Sequence, residues 1–202
     1  MNLSEEMVFV VDDDDSVREA VAGLMRSVGI STESFASAHE FLMSEHRAIS
    51  ACLVLDLQMP GLSGLELQRA LSGTDRQMPI IFLTAHGDIR TSVRAMKAGA
   101  FEFFSKPFDE HELLDSVRHA LERDRAERNE LKAVEVIRRK YDSLSERERQ
   151  VMRLLVRGML NKQIAAEIGL SEVTVKVYRR HLREKMGATS VADLVRMAAK
   201  LS

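Results

Sequence analysis

Residues 7–15 read MVFVVDDDD, five apolar residues followed at once by four aspartates. A short apolar run that ends in polar residues is typical of a buried strand. Similar runs recur at 32–35, 52–55, 80–83 and 101–104, and helix-length amphipathic stretches separate them. Strands that alternate with helices predict an α/β, doubly wound, five-stranded parallel sheet. The run at 32–35 is the least apolar, and we expect the other four strands to be fully buried.

The charge of the chain changes sign along its length. Residues 1–122 hold 10 Lys and Arg against 20 Asp and Glu, a net charge of −10, whereas residues 123–202 hold 19 against 11, a net charge of +8. This asymmetry predicts an acidic module joined to one that can approach a polyanion such as nucleic acid. Two unlike domains whose surface charges merely differ are the alternative.

We therefore divide the chain into a first domain (1–122), a charged linker (123–140) and a second domain (141–202). Residues 122–130 read ERDRAERNE, with seven charged residues in nine and neither Gly nor Pro. Because nothing there interrupts helical periodicity, we expect a continuous, solvated linker helix, with a flexible linker as the alternative.

The composition excludes several classes of protein. No uncharged apolar run approaches the roughly 18–20 residues of a membrane-spanning helix, and the sequence begins without the basic and apolar regions of a secretory signal. The single cysteine, Cys52, excludes a disulfide framework and a multi-cysteine zinc site. We expect a cytoplasmic protein with no membrane partner.

Four kinds of polar side chain follow the predicted strands of the first domain. Asp12 and Asp13 follow the first strand, Asp56 the third, Thr84 the fourth and Lys106 the fifth. The carboxyl ends of parallel strands share one edge of the sheet, so these side chains should converge there. Crowded carboxylates offer the oxygen ligands that Mg2+ prefers. When Mg2+ is bound, one of the carboxylates can attack a phosphorus atom.

At these positions residues 7–122 resemble the receiver domain of bacterial two-component response regulators, a flavodoxin-like fold. The resemblance implies that Asp56 is the phosphoacceptor and that Thr84 and Lys106 contact the phosphoryl group. It further implies that Phe103 is an aromatic switch residue and that the peptide bond between Lys106 and Pro107 is cis. The magnesium site that it implies consists of Asp12, Asp13, Asp56 and the backbone carbonyl of Gln58.

A rival interpretation starts from the same aspartates. Residues 13–17, DDDSV, fit the D-x-D-x-[TV] opening of haloacid-dehalogenase-like phosphatases, which also use Mg2+, a Thr or Ser and a Lys. Those enzymes need a further acidic cluster at a later strand end, and no such Asp pair follows Lys106. They also leave Asp56 unexplained. Taken singly, Asp56 fits a turn residue better than a phosphoacceptor, and the aspartates at 12–15 could cap a helix.

The second domain predicts short helices only. Ser145 and Glu148 form a capping-box pattern, Asn161 can cap a second helix, and Ser171 can cap a third over about 172–185. The span from Asn161 to Arg180 has the layout of a helix-turn-helix, with Gly169 in its turn. A basic face on the later helix fits the DNA major groove, although a solvated helical hairpin has the same pattern.

Three motifs narrow this choice: LSERE at 144–148, NKQIA at 161–165 and TVKV at 174–177. Through them residues 144–195 resemble the LuxR-type four-helix DNA-binding domain. The resemblance places base and phosphate contacts at Lys176, Val177 and Arg180, with Thr174 and Arg179 as phosphate partners. The order of the two modules resembles the NarL/FixJ family of response regulators.

The resemblance implies a transcription factor rather than an enzyme. A sensor histidine kinase would phosphorylate Asp56 with Mg2+, and the surface of the fourth helix and fifth strand would then form a homodimer. The dimer would bind double-stranded promoter DNA and activate transcription through RNA polymerase. A docking protein whose basic domain binds no DNA is the alternative from another class.

Overall fold

The computed structural model describes residues 6–45, 49–74, 77–85 and 89–201. The chain forms two compact units, the first unit (residues 1–128) and the second unit (residues 129–202). In the part of the chain that the structure describes, no helix combines the length and apolar character needed to cross a membrane.

A five-stranded parallel sheet forms the centre of the first unit, with the strand order β2-β1-β3-β4-β5. The strands are β1 (Glu6–Val11), β2 (Ser31–Phe35), β3 (Ser50–Asp56), β4 (Ile80–Thr84) and β5 (Glu102–Ser105). The order reverses between β1 and β3, and a doubly wound sheet binds its ligands at such a switch point. The predicted α/β doubly wound fold is confirmed.

Five helices accompany these strands: α1 (Asp15–Ser27), α2 (Ala38–Met43), α3 (Gly64–Leu71), α4 (Ile89–Lys97) and α5 (Glu110–Asp142). Short polar side chains start several of them. The Asp14 carboxylate accepts from the Ser16 amide at 2.9 Å, and the Ser37 hydroxyl accepts from the Glu40 amide at 3.2 Å. Each cap satisfies an amide that the first helical turn leaves unpaired.

Side chains alternate between the two faces of the sheet and supply two apolar layers. Phe9 and Val11 lie in one layer, together with Phe41 and Phe82, while Val8 and others lie in the opposite one with α1 and α5. Both layers are buried because β1, β3 and β4 each have a strand on either side and helices above and below.

The fifth strand differs from the expectation. Glu102 and Ser105 are exposed, and Phe103 and Phe104 are half-buried, so the prediction of a fully buried strand at 101–104 is wrong. The strand pairs only with β4 and forms an edge of the sheet. A single neighbouring strand leaves half of its surface uncovered.

The helix α5 includes the whole stretch at 123–140. The expectation that this stretch is solvated throughout is wrong at Asp124, which is only 3% exposed. Its carboxylate accepts from the Ala51 amide at 2.9 Å and from Arg128 Nε at 2.6 Å. Because Ala51 is the second residue of β3, this contact ties the middle of α5 to the start of the central strand.

The second unit is helical. Its elements after α5 are α6 (Glu146–Val156), α7 (Asn161–Ile168), α8 (Glu172–Met186) and α9 (Val191–Ala199). Ser145 and Glu148 form the predicted capping box of α6, and Ser171 caps α8 by accepting from the Thr174 amide at 3.1 Å. Gly169 ends α7 with a φ of 67°, a left-handed conformation that glycine adopts without strain.

Candidate functional site

The carboxyl edge of the sheet gathers the side chains that the sequence singled out. Asp12 follows β1 and is 2% exposed, Asp56 ends β3 and is 5% exposed, and Thr84 ends β4 and is also buried. Lys106 follows β5, and its amide donates to the Thr84 carbonyl at 2.8 Å. Parallel pairing of β1, β3, β4 and β5 therefore brings these four residues to one edge.

Lys106 connects two of the carboxylates. Its Nζ lies 2.6 Å from Asp12 Oδ2 and 3.1 Å from Asp56 Oδ1. Charge-assisted hydrogen bonds of this kind are the strongest polar contacts in proteins, so they fix the orientation of both carboxylates. The remaining oxygens are also directed: Asp12 Oδ1 accepts from the Asp14 amide at 3.0 Å, and Asp56 Oδ2 accepts from the Gln58 amide at 2.9 Å.

A third carboxylate completes the acidic pocket, by which we mean Asp12, Asp13, Asp56 and Lys106. One oxygen from each of its three aspartates can lie within 4.8 Å of the others, and Asp13 is exposed to solvent. Three carboxylates against one ammonium leave an excess of negative charge in a poorly solvated place. Hard oxygen ligands in this arrangement suit a divalent cation, which would neutralise the excess.

Burial and charge pairing have opposite effects on the pKa values of Asp56 and Lys106 in the acidic pocket. Burial raises the pKa of Asp56 above its ordinary value of 3.8, and the contact with Lys106 opposes this effect without cancelling it. For Lys106, burial acts to lower the pKa, but the hydrogen bonds that its ammonium group donates to Asp12 and Asp56 outweigh burial and leave the pKa above 10.5. Lys106 thus stays charged at neutral pH, and Asp56 is a more basic oxygen nucleophile than an ordinary aspartate.

Phe103 lies on β5, two residues before Ser105, the residue that pairs with Thr84 of β4. Its ring packs against the core layer, and its centroid is 6.4 Å from that of Phe82, which pairs with it in register. The side chain is half-buried. The peptide bond between Lys106 and Pro107 is cis, as expected.

Two residues that support the pocket escaped sequence reasoning. Arg18 on α1 donates from Nη1 to the Asp12 carbonyl at 2.5 Å and pairs with the Asp15 carboxylate. It thereby holds the backbone that presents Asp12 and Asp13. Its spacing of three residues from Asp15 on a helix was the only signal in the sequence.

Gly64 is the second. A Cβ built at Gly64 would lie 2.3 Å from the Asp56 carbonyl oxygen, so any larger residue would push α3 away from the end of β3. The Gly64 amide donates to the Leu57 carbonyl at 3.0 Å. This close approach fixes the loop that carries Asp56 and Gln58.

A different surface lies on the second unit, along α8. Lys176, Val177 and Arg180 are exposed, and Thr174 and Arg179 are half-buried. The Thr174 hydroxyl lies 2.8 Å from the Ser171 hydroxyl, and Arg180 Nε lies 3.7 Å from Glu184 Oε1. Exposed cations on one helix can pair with phosphates without first losing a buried partner.

The expectation that Asn161 caps α7 is wrong. The helix begins at Asn161 itself, and the residue before it, Leu160, has the extended backbone of a cap. The Gln163 side chain accepts from the Leu160 amide at 2.8 Å and takes over the capping role. The Asn161 carboxamide is free for another contact, and its Oδ1 accepts from Arg179 Nη1. This hydrogen bond joins the two helices of the predicted helix-turn-helix.

Comparisons with known proteins match both units. Residues 8–118 match the response regulator receiver domain, and residues 142–198 match the bacterial regulatory proteins of the luxR family. Nodulation protein W of Bradyrhizobium diazoefficiens is 50% identical over 198 residues, which cover 98% of this chain and 87% of that protein. The transcriptional regulatory protein FixJ of Azorhizobium caulinodans is 42% identical over 191 residues, 95% of this chain and 90% of that protein.

A solved structure resembles nearly the whole chain. The response regulator StyR is 47% identical, with a TM-score of 0.87 over 96% of this chain and 98% of its own. Residues 13–17 fall within the match to the receiver domain, and the phosphatase interpretation of these residues finds no support among these matches.

Proposed function

Since the chain belongs to the NarL/FixJ-type response regulators of two-component systems, which act as transcriptional regulators rather than enzymes, we propose that Asp56 is its phosphoacceptor. The observation that carries the proposal is the hydrogen bond of 3.1 Å between Asp56 and Lys106 in a pocket with two more carboxylates. A receiver domain implies a histidine kinase as the phosphodonor, and the LuxR-type domain implies DNA as the ligand.

The acidic pocket fits Mg2+. Asp12, Asp13, Asp56 and the backbone carbonyl of Gln58 would hold the ion, because they offer oxygens alone and carry excess negative charge. When bound, Mg2+ neutralises oxygens of the incoming phosphoryl group. The Asp56 carboxylate would attack phosphorus while the bond from phosphorus to the histidine nitrogen of the kinase breaks and that imidazole leaves. Lys106, already beside Asp56, would stabilise the charge that develops on the phosphoryl oxygens.

Phosphorylation then biases a two-state surface. The Thr84 side chain, at the end of β4, would turn towards the new phosphoryl oxygens, and Phe103 would move inward against Phe82. A phosphoryl group adds charge and three acceptor oxygens, which supply the differential contacts that such a shift requires. The repacking alters α4 and β5, which lie side by side in the first unit.

The α4 surface supports a homodimer. Ile89, Val93 and Met96 are spaced by four and three residues, so they share one helix face, and all three are exposed. An exposed apolar stripe of this kind is typical of an interface with another protein. We assign it to the phosphorylated dimer, which pairs two LuxR-type domains on one DNA site.

The second unit delivers the response. Lys176, Val177 and Arg180 would enter the major groove, while Thr174 and Arg179 would contact phosphates. Domains at 1–122 and 141–202, with the linker at 123–140, would act in the cytoplasm and recruit RNA polymerase to activate promoters.

Phosphoryl transfer to Asp56 can be tested by mass. The purified chain is incubated with acetyl phosphate and Mg2+, and intact mass is compared for wild type, Asp56→Asn and Asp115→Asn. Asp115 is an exposed aspartate on α5, so its amide variant is the matched control. Wild type and Asp115→Asn should gain one phosphoryl group and Asp56→Asn none. Equal incorporation in Asp56→Asn would refute the assignment.

The dimer surface has its own test. Sedimentation after treatment with acetyl phosphate should show a dimer for wild type and a monomer for Val93→Asp. Met43→Asp is the control, because Met43 is an exposed apolar residue on α2. If Val93→Asp still dimerises, the interface lies elsewhere.

A further inference from the structure

A buried glutamine on α3 is hydrogen-bonded to the end of α4. Gln68 is 3% exposed and lies on the inward face of α3 with Leu67 and Leu71. Its Nε2 donates to the carbonyl oxygens of Ala95 and Ala98, each at 3.3 Å. Ala95 belongs to the last turn of α4, and Ala98 directly follows the helix. Because a carboxamide nitrogen carries two hydrogens, these two contacts use its whole capacity as a donor.

The stability of the core does not explain a glutamine at this position. The two donated hydrogen bonds fix the orientation of the carboxamide. In the part of the chain that the structure describes, no group donates to the remaining Oε1, although this atom is buried. An unpartnered buried oxygen costs free energy, which a leucine such as those at positions 67 and 71 would avoid. The contact with α4, rather than packing, is therefore what requires a glutamine here.

The other end of α3 is held against the end of β3. Gly64, the first residue of α3, comes so close to the Asp56 carbonyl that an added Cβ would lie 2.3 Å from its oxygen. The Gly64 amide also donates to the Leu57 carbonyl at 3.0 Å. Gln68 lies four residues after Gly64 on the same buried face, which is about one helical turn. One turn of α3 thus separates the contact with Asp56 from the contact with α4.

The hydrogen-bonded end of α4 belongs to the elements that change in the proposed function. Val93 is exposed on the proposed dimer surface of α4, whereas Ala95 is fully buried. The Ala95 carbonyl also accepts from the Ala98 and Ala100 amides, at 3.1 and 3.0 Å, where the chain leaves α4 and leads into β5. Gln68 therefore contacts the segment that joins α4 to β5.

We propose that Gln68 is a positioning residue that couples Asp56 to α4 through one turn of α3. The proposal rests on the proposed function, since it assumes phosphorylation of Asp56 and a dimer that forms through α4. Without the two hydrogen bonds, the end of α4 loses its polar link to the helix that packs on Asp56, so phosphorylation should change the affinity of the dimer less. Such a coupling is the factor by which one event shifts the equilibrium of the other.

The test measures phosphoryl transfer and dimerisation separately in the full chain. Each protein is studied with and without acetyl phosphate in the presence of Mg2+. Intact mass gives the phosphoryl occupancy, and sedimentation gives the dimer dissociation constant in each condition. The coupling factor is the ratio of the dissociation constant without acetyl phosphate to the dissociation constant with it, compared at matched occupancy.

Gln68→Met is the main variant, because it nearly keeps the length of the side chain and removes both donor hydrogens. Its phosphoryl occupancy should equal that of wild type. Its coupling factor should be lower by about fivefold or more, since the loss of one typical hydrogen bond corresponds to a factor of about five. Gln68→Leu introduces the side chain found at positions 67 and 71 and should give the same result.

Gln77→Met is the matched control, since Gln77 is an exposed glutamine in the segment before β4. It carries the same substitution and should keep the coupling factor of wild type. Circular dichroism verifies that each variant is folded.

The outcomes separate the proposal from the proposed function. A wild-type coupling factor in either folded Gln68 variant would overturn the proposal, as would an equal loss in Gln77→Met. If both Gln68 variants fail to fold or to gain the phosphoryl group, the residue is structural and the proposal is also wrong. If wild type itself gains no phosphoryl group, or forms no dimer after gaining it, the proposed function fails and the proposal fails with it.

Discussion

The two units place similar charged groups in opposite arrangements. In the first unit, Asp12, Asp13 and Asp56 lie close together and the ammonium group of Lys106 pairs with two of them, Asp12 and Asp56, so the acidic pocket is short of positive charge. In the second unit, the buried carboxylate of Glu148 meets the ammonium group of Lys185 at 2.7 Å and also closes the capping box of α6.

The difference separates binding from folding. A cluster in which carboxylates outnumber cations lowers the stability of the fold. The same excess of negative charge can bind a cation or take part in phosphoryl transfer. A balanced pair with satisfied hydrogen bonds holds two helices together, here α6 and α8, and leaves nothing for a ligand. The excess charge of the second unit lies instead on the exposed face of α8, where it acts at long range and depends on salt.

The largest expected effect concerns that exposed charge. The double variant Lys176→Ala, Arg180→Ala should bind duplex DNA about thirtyfold more weakly at physiological salt. Each lost phosphate contact reduces the number of counterions that are released on binding, and this lowers the affinity. The slope of log Kd against log salt should fall by about 2.

Fluorescence anisotropy across a salt series measures both quantities. The control is Lys132→Ala with Arg138→Ala, two exposed cations on α5 with the same net change in charge. An equal loss in the control would show that net charge rather than the α8 face determines binding.

The balanced pair gives the next effect. Glu148→Gln removes the charge on a buried side chain and leaves Lys185 without its anion, so the second unit should lose about 1.5 kcal/mol of unfolding free energy. Urea unfolding of the full chain, monitored by hydrogen exchange of peptides from α6 and α8, measures the change. Glu146→Gln is the control, because Glu146 is exposed on the same helix. An unchanged midpoint for Glu148→Gln would refute the structural role.

A smaller effect is expected from the unbalanced pocket when Mg2+ is added. At ten times its dissociation constant a ligand of the native state stabilises it by about 1.4 kcal/mol. Thermal unfolding, followed separately for peptides of each unit, should therefore show that Mg2+ raises the stability of the first unit and leaves the stability of the second unit unchanged. Asp13→Asn should weaken this response, whereas Asp115→Asn should retain it. A response that Asp13→Asn leaves intact would place the cation elsewhere.

The sequence could predict much of the pocket because strand ends follow from periodicity. Asp12, Asp56 and Thr84 each stand directly after an apolar run, and Lys106 stands one residue beyond the run at 101–104. Parallel pairing alone brings such positions together. The burial of β5 could not be predicted, since it depends on which strand lies at the edge. An apolar run looks the same in either position.

Contacts between distant side chains were also beyond the sequence. Asp124 and Arg128 are four residues apart on a helix, a spacing that indicates a solvated ion pair, yet the carboxylate is buried against the Ala51 amide. Asn161 fits the preference for a cap residue, but Arg179 takes its carboxamide. In both cases tertiary packing supplied a partner that local rules do not contain.

The smallest expected effect has the opposite sign to that of Glu148→Gln. Asp56→Asn relieves the excess charge in the pocket, so in the absence of Mg2+ the first unit should gain up to about 1 kcal/mol of unfolding free energy at pH 7. Peptide-resolved hydrogen exchange in urea compares the two amide variants in one measurement.

The pH dependence follows from the two pKa shifts. Burial raises the pKa of Asp56 in the folded state, so its ionised form destabilises the fold above that pKa, and the penalty disappears as pH falls towards 3.8. Burial acts to raise the pKa of Glu148 as well, but hydrogen bonds from Lys185 and Ser145 outweigh it and leave the pKa below 4.5, so its stabilisation is lost only as pH falls below 4.5.

The advantage of Asp56→Asn should therefore shrink on acidification from pH 7, while the deficit of Glu148→Gln should persist until the pH falls below 4.5. If both differences changed in parallel, the acidic pocket would be balanced like the pair in the second unit, and the excess charge that we assign to cation binding would not exist.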